Sequence, residues 1–463
     1  LIYFMKAGSG FLTDIDQFVQ QKREHFIEVF QQLVAIPSIC GDEAQIKNAV
    51  AFLSNLLKKL FDCQIEILST AGSPVIFCHF AAASSSEESI LFYGHYDVMA
   101  AEDVEKWQTD PFQLTLKEGR LFGRGAGDNK GQLLDVIFGL YAFKSLHQQF
   151  PCQINLIIEG EEEKGSVHLN QVVKQLSSQQ LRQIKTVFVI DGSFSFAGQH
   201  VLRLGNRGLL GFEVNFKTNE TDLHSGNFGN VSPNPILVFH QILEQLYDFK
   251  KQRVLIPHFY DGTKQVSQTE AALLEKLPPV RLSSGQSSEF FKEPENKFEY
   301  YKRLMFEPSF NINGIQSGFL GQGIKTIIPS QLKVRFDFRL VSGQNVSQIQ
   351  RELNCLLAPW ISNKLLSINY LAVIPPYYAG VENKLMKQVI QGIQQVDQQA
   401  VIEPVMPGTV PNYVWQENLQ AQIFTIPLAN FDQHNHAPNE NIKLTAFLQG
   451  IKIIYQLVKI YQD

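Results

Sequence analysis

Five widely separated stretches of the 463-residue chain place acids and histidines where apolar runs stop. His95 and Asp97 stand two apart in SILFYGHYDV, and Asp128 lies in the glycine-rich GRGAGDNKG. Glu161, Glu162 and Glu163 follow INLIIEG, Asp191 follows TVFVI, and His436 opens HAPNE. Residues two apart on a strand share a face, so His95 can bind a metal while Asp97 orients its ring. Taken as ligands, Asp128, Glu163 and Asp191 supply three negative charges. A shared hydroxide would supply the fourth, so that neutral His95 and His436 complete a balanced site for two Zn²⁺ ions. If one carboxylate is shared, each ion has three protein donors and an open position, the arrangement of catalytic zinc. Co or Mn suits the same mixed nitrogen and oxygen donors. A glutamate preceding a ligand in the EEE run can then act as base on the attacking water. The competing reading of three consecutive glutamates is a solvated turn.

These groups can meet only if the chain brings strand ends together. Strand-like runs at residues 64–68, 75–80, 90–93, 154–158 and 187–190 alternate with helical periodicity at 14–35, 43–61, 132–146 and 167–176. That alternation predicts a mainly parallel α/β sheet covered by helices on both faces, with ligands handled beyond the strand ends. A polar turn is expected at 84–88. From about residue 205 the pattern changes. Leu332, Val334, Phe336, Phe338 and Leu340 alternate with polar neighbours, as in an antiparallel strand with one solvated face. Residues 212–216 alternate similarly, helices are readable at 235–249 and 346–357, and 276–302 reads as a long loop. The first style returns with a helix at 381–396, strands near 401 and at 421–426, and a helix at 444–461. The expected organisation is a catalytic domain in two parts, 1–206 and 374–463, interrupted by an inserted α+β domain at 207–373.

A formal charge of −5 gives no electrostatic case for nucleic acid or an anionic membrane as partner. No apolar run is long enough for a membrane span. The five cysteines are too scattered for a disulfide framework or a Cys-x-x-Cys zinc site, so a cytoplasmic location is expected. LIYFM is too short for a signal-peptide core, and Met5 is the expected start. Gly123, Gly125 and Gly127 admit a nucleotide-binding reading, but G-x-G-x-x-G is absent and Gly131 stands where a P-loop has Ser or Thr. From residue type alone, His224 reads as a loop histidine and Arg339 as a solvated one.

GHYDV, GRGAGDNKG, EGEEEKGS, the DG at 191–192, DLHSGNFGN and HAPNE occur in this order. Together they resemble the co-catalytic zinc metallopeptidase family of aminoacylase, succinyl-diaminopimelate desuccinylase, glutamate carboxypeptidase and the cytosolic dipeptidases. DLHSGNFGN and RFDFRL look most like the dipeptidase, carnosinase-like branch. The resemblance implies that Asp128 bridges two zinc ions, with His95 and Asp191 on one and Glu163 and His436 on the other. It makes Glu162 the general base, Asp97 the partner of His95, and the peptide after Asp128 cis. The inserted domain becomes a lid that also forms a homodimer, and His224 reaches across that dimer to the oxyanion. Arg339 becomes the binder of the substrate carboxylate, with Gly408 and Thr409 in a substrate loop. The implied activity is hydrolysis of the amide bond of dipeptides or short peptides with a free C-terminal carboxylate. Deacylation of N-acyl amino acids is the alternative. Asn129 departs from the family's frequent second Asp, and residues 406–411 depart from its double-glycine, Ser, Ile, Pro loop.

Overall fold

The computed structural model describes residues 13–82, 89–177, 180, 181, 183–279, 294–382 and 384–462. The N-terminal reading and the turn at 84–88 lie outside the described residues. The chain forms two compact units. One comprises the residues up to Leu204, Ala379–Glu403 and those from Val414 onward; the other comprises Gly205–Tyr378 and Pro404–Tyr413.

The first unit is built on an eight-stranded sheet. Its order is Gln64–Leu68, Val75–Phe80, Gln153–Glu159, Ser89–His95, Ile184–Val189, Gln422–Thr425, Val201–Arg203 and Val401–Glu403. Ser89–His95 is buried at every position and pairs in parallel with both neighbours, as a strand covered on both faces must. His95 lies opposite Glu159, and Tyr93 lies opposite Val189. The three strands therefore end side by side. The residues that follow, the glutamate run and Asp191, emerge at one edge with His95.

Helices cover this sheet for reasons visible in the sequence. Asp14–Val34 starts at a Thr13–Asp16 capping box and buries Ile15, Val19, Phe26, Phe30 and Leu33 at helical spacing. The carbonyls at its end are taken by a buried lysine: Lys130 Nζ donates to Leu33 O (3.1 Å) and Ile36 O (2.5 Å). Burial pulls that ammonium down to about 7. Lys130–His147 packs closely on Leu444–Lys459, where a side chain at Gly139 would overlap Ile454.

One buried acid sits between those two helices. Asp135 faces Gly450, neither of its oxygens has a hydrogen-bond partner among the described residues, and burial pushes its carboxyl well above the usual range. Below the ordinary carboxylate pKa, folded and unfolded chains both hold the proton. Above about pH 4 the unfolded chain releases it while the folded chain keeps it, which costs about 1.4 kcal/mol of stability per pH unit. Asp135→Asn is expected to remove this slope. Its melting temperature should exceed wild type by several degrees at pH 7.5 and by much less at pH 4.5. A gap that does not change with pH in thermal melts counts against this account.

The second unit carries a four-stranded antiparallel sheet in the order Ser309–Ser317, Gln331–Leu340, Gly208–Lys217, Leu366–Ile374. Leu332, Val334, Phe336, Phe338 and Leu340 are buried with Phe239, Ile242, Ile349 and Leu353 of the helices Pro235–Leu246 and Val346–Ser362. Together the two units make a mostly parallel sheet with helices, interrupted by an α+β insertion. Of the expected loop at 276–302, residues 280–293 lie outside the described residues, and its last part needs correction. A helix, Lys297–Phe306, starts within it, capped by Asn296. Only Tyr301 and Met305 of its ten residues are buried, so its apolar periodicity is faint. Among the described residues, no helix is long and apolar enough to cross a membrane.

Candidate metal centre

Two groups of three donors form at the strand ends of the first unit. His95, Glu162 and Asp191 bring one ligand atom each within 4.8 Å of one another, and so do Asp128, Glu163 and His436. Asp128 lies between the two histidines: Oδ1 is 3.1 Å from His95 Nε2, and Oδ2 is 3.2 Å from His436 Nε2. His436 Nε2 is also 2.9 Å from Glu163 Oε2. His434, two residues earlier, is not part of either group.

The electrostatics of these groups favour cations. Burial pulls the His95 imidazole down, but Asp128 and Asp97 outweigh it and hold the ring well above its usual value. Asp128 and Glu163 raise His436 to about 10. Burial, with the charge of Asp128 added, lifts Asp191 to about 6. Glu162 is pushed well above the carboxylate range by burial, with His95 opposing and Asp191 and Asp128 adding to it. Two histidines drawn to their charged form, with Asp191 and Glu162 drawn to their neutral form, mark a packing of carboxylates that bound divalent ions would relieve. The mixed imidazole and carboxylate donor set fits zinc, or cobalt or manganese.

Backbone and polar partners hold these donors in place. Asp97 is fully buried; its Oδ1 is 3.3 Å from His95 Nδ1, and its carboxylate accepts from Glu162 N (3.3 Å) and Glu163 N (3.0 Å). One acid thus orients both the ring and the glutamate turn. Glu161 turns away to His168 Nδ1, 2.6 Å distant, and its backbone carbonyl closes the turn by accepting from Ser166 N. The three glutamates are therefore not a solvated turn. The Asp128–Asn129 peptide is cis. Asn129 accepts from His95 N and donates to Asp191 Oδ1 (3.2 Å), a bond that an ionised aspartate there could not donate. His436 has φ 57°, an uncommon setting for a residue other than glycine.

Glu440 was legible only as the last letter of HAPNE. In the fold its buried carboxylate accepts from Arg124 Nη1 (2.7 Å), Gly125 N (3.1 Å), Gly127 N (3.0 Å) and Asp128 N (2.9 Å). The glycine-rich loop thus spends on an internal acid the backbone donors that a phosphate would need. The nucleotide-binding reading fails for that reason.

Residues 91–460 match the sequence model of peptidase family M20/M25/M40. The chain belongs to this metallopeptidase family. It is 28% identical to the Beta-Ala-His dipeptidase of Homo sapiens over 469 residues, covering 96% of this chain and 91% of that protein. It is 26% identical to the Cys-Gly metallodipeptidase DUG1 of Saccharomyces cerevisiae, over 98% of each. Among solved structures, the M20 family metallo-carboxypeptidase Sso-CP2 from Sulfolobus solfataricus superposes with a TM-score of 0.84 at 25% identity, over 94% of this chain and 99% of the other. The chain is thus an M20-family dipeptidase homologue carrying two candidate metal-binding groups.

The remaining candidates of this M20 chain lie in its second unit. Arg339 Nη1 donates to Thr409 Oγ1 (3.0 Å), which donates in turn to Arg207 O (2.9 Å). Gly408 precedes Thr409 in the same loop, where a side chain on it would press on Met406. His224 is exposed, with Nδ1 accepting from Gly226 N at 3.0 Å and Nε2 3.4 Å from Thr326 Oγ1. Arg207, which the sequence did not single out, is clamped by Nε to Pro407 O (2.8 Å) and by its backbone N to Met406 O (3.1 Å).

Proposed function

We propose that this chain is a di-zinc hydrolase that cleaves the amide bond of dipeptides or short peptides bearing a free C-terminal carboxylate. The observation that carries this reading is Asp128, with one oxygen toward His95 and the other toward His436. His95 and Asp191 would hold one ion, Glu163 and His436 the other, with Asp128 shared. Bound zinc would supply Lewis acidity to the scissile carbonyl and acidify the attacking water.

Glu162 takes the proton of that water and returns it to the leaving amine. An environment that lifts its carboxyl suits a group that must both accept and release a proton. Asp97 fixes the His95 ring and the turn bearing Glu162. Arg339, steadied by Thr409 in the Gly408–Thr409 loop, binds the C-terminal carboxylate with its planar fork. His224 stabilises the oxyanion from across a homodimer formed by the inserted unit. The five cysteines form no disulfide among the described residues, and the location we infer is the cytoplasm.

Metal loading tests this directly. Protein stripped with a chelator and reloaded should bind about two zinc ions per chain and hydrolyse dipeptides. Failure to bind a second ion would remove the shared-carboxylate site. Turnover of N-acyl amino acids about tenfold better than dipeptides would make the enzyme a deacylase instead.

A further inference from the structure

The turn that carries Glu162 and Glu163 is tied down at two places, and the second has no role above. At the first, Asp97 accepts from Glu162 N and Glu163 N. At the second, Ser166 Oγ donates to Glu159 Oε1 at 2.6 Å, and all three glutamates of the run lie between these two residues. Glu159 is a firm anchor. It ends the strand Gln153–Glu159, its carbonyl accepts from Tyr96 N, and a side chain at Gly160 would overlap the Tyr96 ring. It is 1% exposed, with Asp97, His95 and Tyr93 as its other polar neighbours. The chain leaves the turn through Gly165 at φ 87° and Ser166 at φ 54°. Glycine takes up such a setting freely, whereas serine is strained in it. A serine where glycine would sit more easily points to a use for its hydroxyl.

We propose that Ser166, through its hydrogen bond to Glu159, is a positioning residue for the general base, holding Glu162 where it exchanges protons with the attacking water and the leaving amine. The proposal rests on Glu162 being that base. The backbone bonds of the turn, Gly165 N to Glu162 O (2.7 Å) and Ser166 N to Glu161 O (2.9 Å), join residues of the turn to one another and would move with it. Packing gives little help at its exit, since among the described residues nothing lies within 4 Å of where a side chain on Gly165 would stand. The Ser166 hydroxyl is what ties this exit back to the sheet. A base displaced by about 1 Å loses much of its rate while substrate affinity, which it does not supply, is kept.

The test measures kcat, KM and bound zinc of the zinc-loaded full chain, with the dipeptide that wild type turns over fastest in a panel. Ser166→Gly removes the hydroxyl and eases the backbone, and is expected to lower kcat about 10- to 100-fold with KM within about twofold and zinc content unchanged. Glu159→Leu should lower kcat to a similar extent, and the double variant no further, since each breaks the same bond. Glu159→Gln, which keeps an oxygen for the hydroxyl, should recover most of that loss. A Ser166→Gly enzyme with kcat within about twofold of wild type, or one that loses a zinc ion, overturns the proposal while leaving the dipeptidase reading in place, and so do single losses that multiply in the double variant. Should Ser166→Gly fold poorly, equal kcat for Glu159→Gln and Glu159→Leu overturns it instead. No turnover of any dipeptide by wild type overturns both.

Discussion

Glu162→Gln is expected to lower kcat for dipeptide hydrolysis by about 10³- to 10⁴-fold while about two metal ions per chain stay bound. The size follows from the two transfers assigned to one carboxylate: without it, neither the attacking water loses its proton nor the leaving amine gains one. Glutamine keeps the shape and one acceptor oxygen, so the amide N–H of residue 162 should still meet Asp97. The metal readout matters because the geometry admits a competitor. Glu162 Oε2 lies 3.9 Å from His95 Nε2, and Glu162 groups with His95 and Asp191 as donors. A ligand role for Glu162 predicts loss of one ion from the variant, whereas a proton-carrying role predicts retention of both with KM little changed. Metal analysis alongside steady-state kinetics separates the two.

What the sequence revealed about this site follows from which contacts are local in kind. SILFYGHYDV could be read because a buried parallel strand is apolar throughout and must end in something polar. The same argument applied to INLII and TVFVI, and the parallel register then aligned their ends without further information. Gln331–Leu340 was equally plain, because one solvated face enforces alternation. Glu440 was opaque in its role. Its partners lie more than 300 residues away, and three of the four are backbone N–H groups that leave no trace in residue type. Arg207 was hidden for a similar reason: its clamp is made to carbonyls of Met406 and Pro407, in a segment that joins the second unit only through the fold. Asn129 could be seen as a departure from the family pattern, but not that its amide ties His95 to Asp191.

Glu440→Ala is expected to destabilise the protein by about 3–5 kcal/mol and to weaken metal binding about 10- to 100-fold. The stability cost arises because Arg124 is only 2% exposed and would keep its charge without the carboxylate at 2.7 Å. Its remaining contacts, Nη2 to Ala100 O (3.2 Å) and the face of Trp107 at 5.2 Å, do not neutralise it. The metal cost has a different origin. The N–H groups of Gly127 and Asp128 would lose their shared acceptor, and with it the restraint that aims Asp128 between His95 and His436. The double variant Glu440→Ala, Arg124→Met separates the two effects, since removing both members of a buried pair costs far less than removing one. Urea unfolding should then recover most of the lost stability, while zinc affinity, measured by competition with a chelator, should stay low because the loop is still untethered. Recovery of affinity together with stability would mean that Glu440 serves the fold alone. A Glu440→Ala variant within about 1 kcal/mol of wild type would show that the loop holds its shape without this acid.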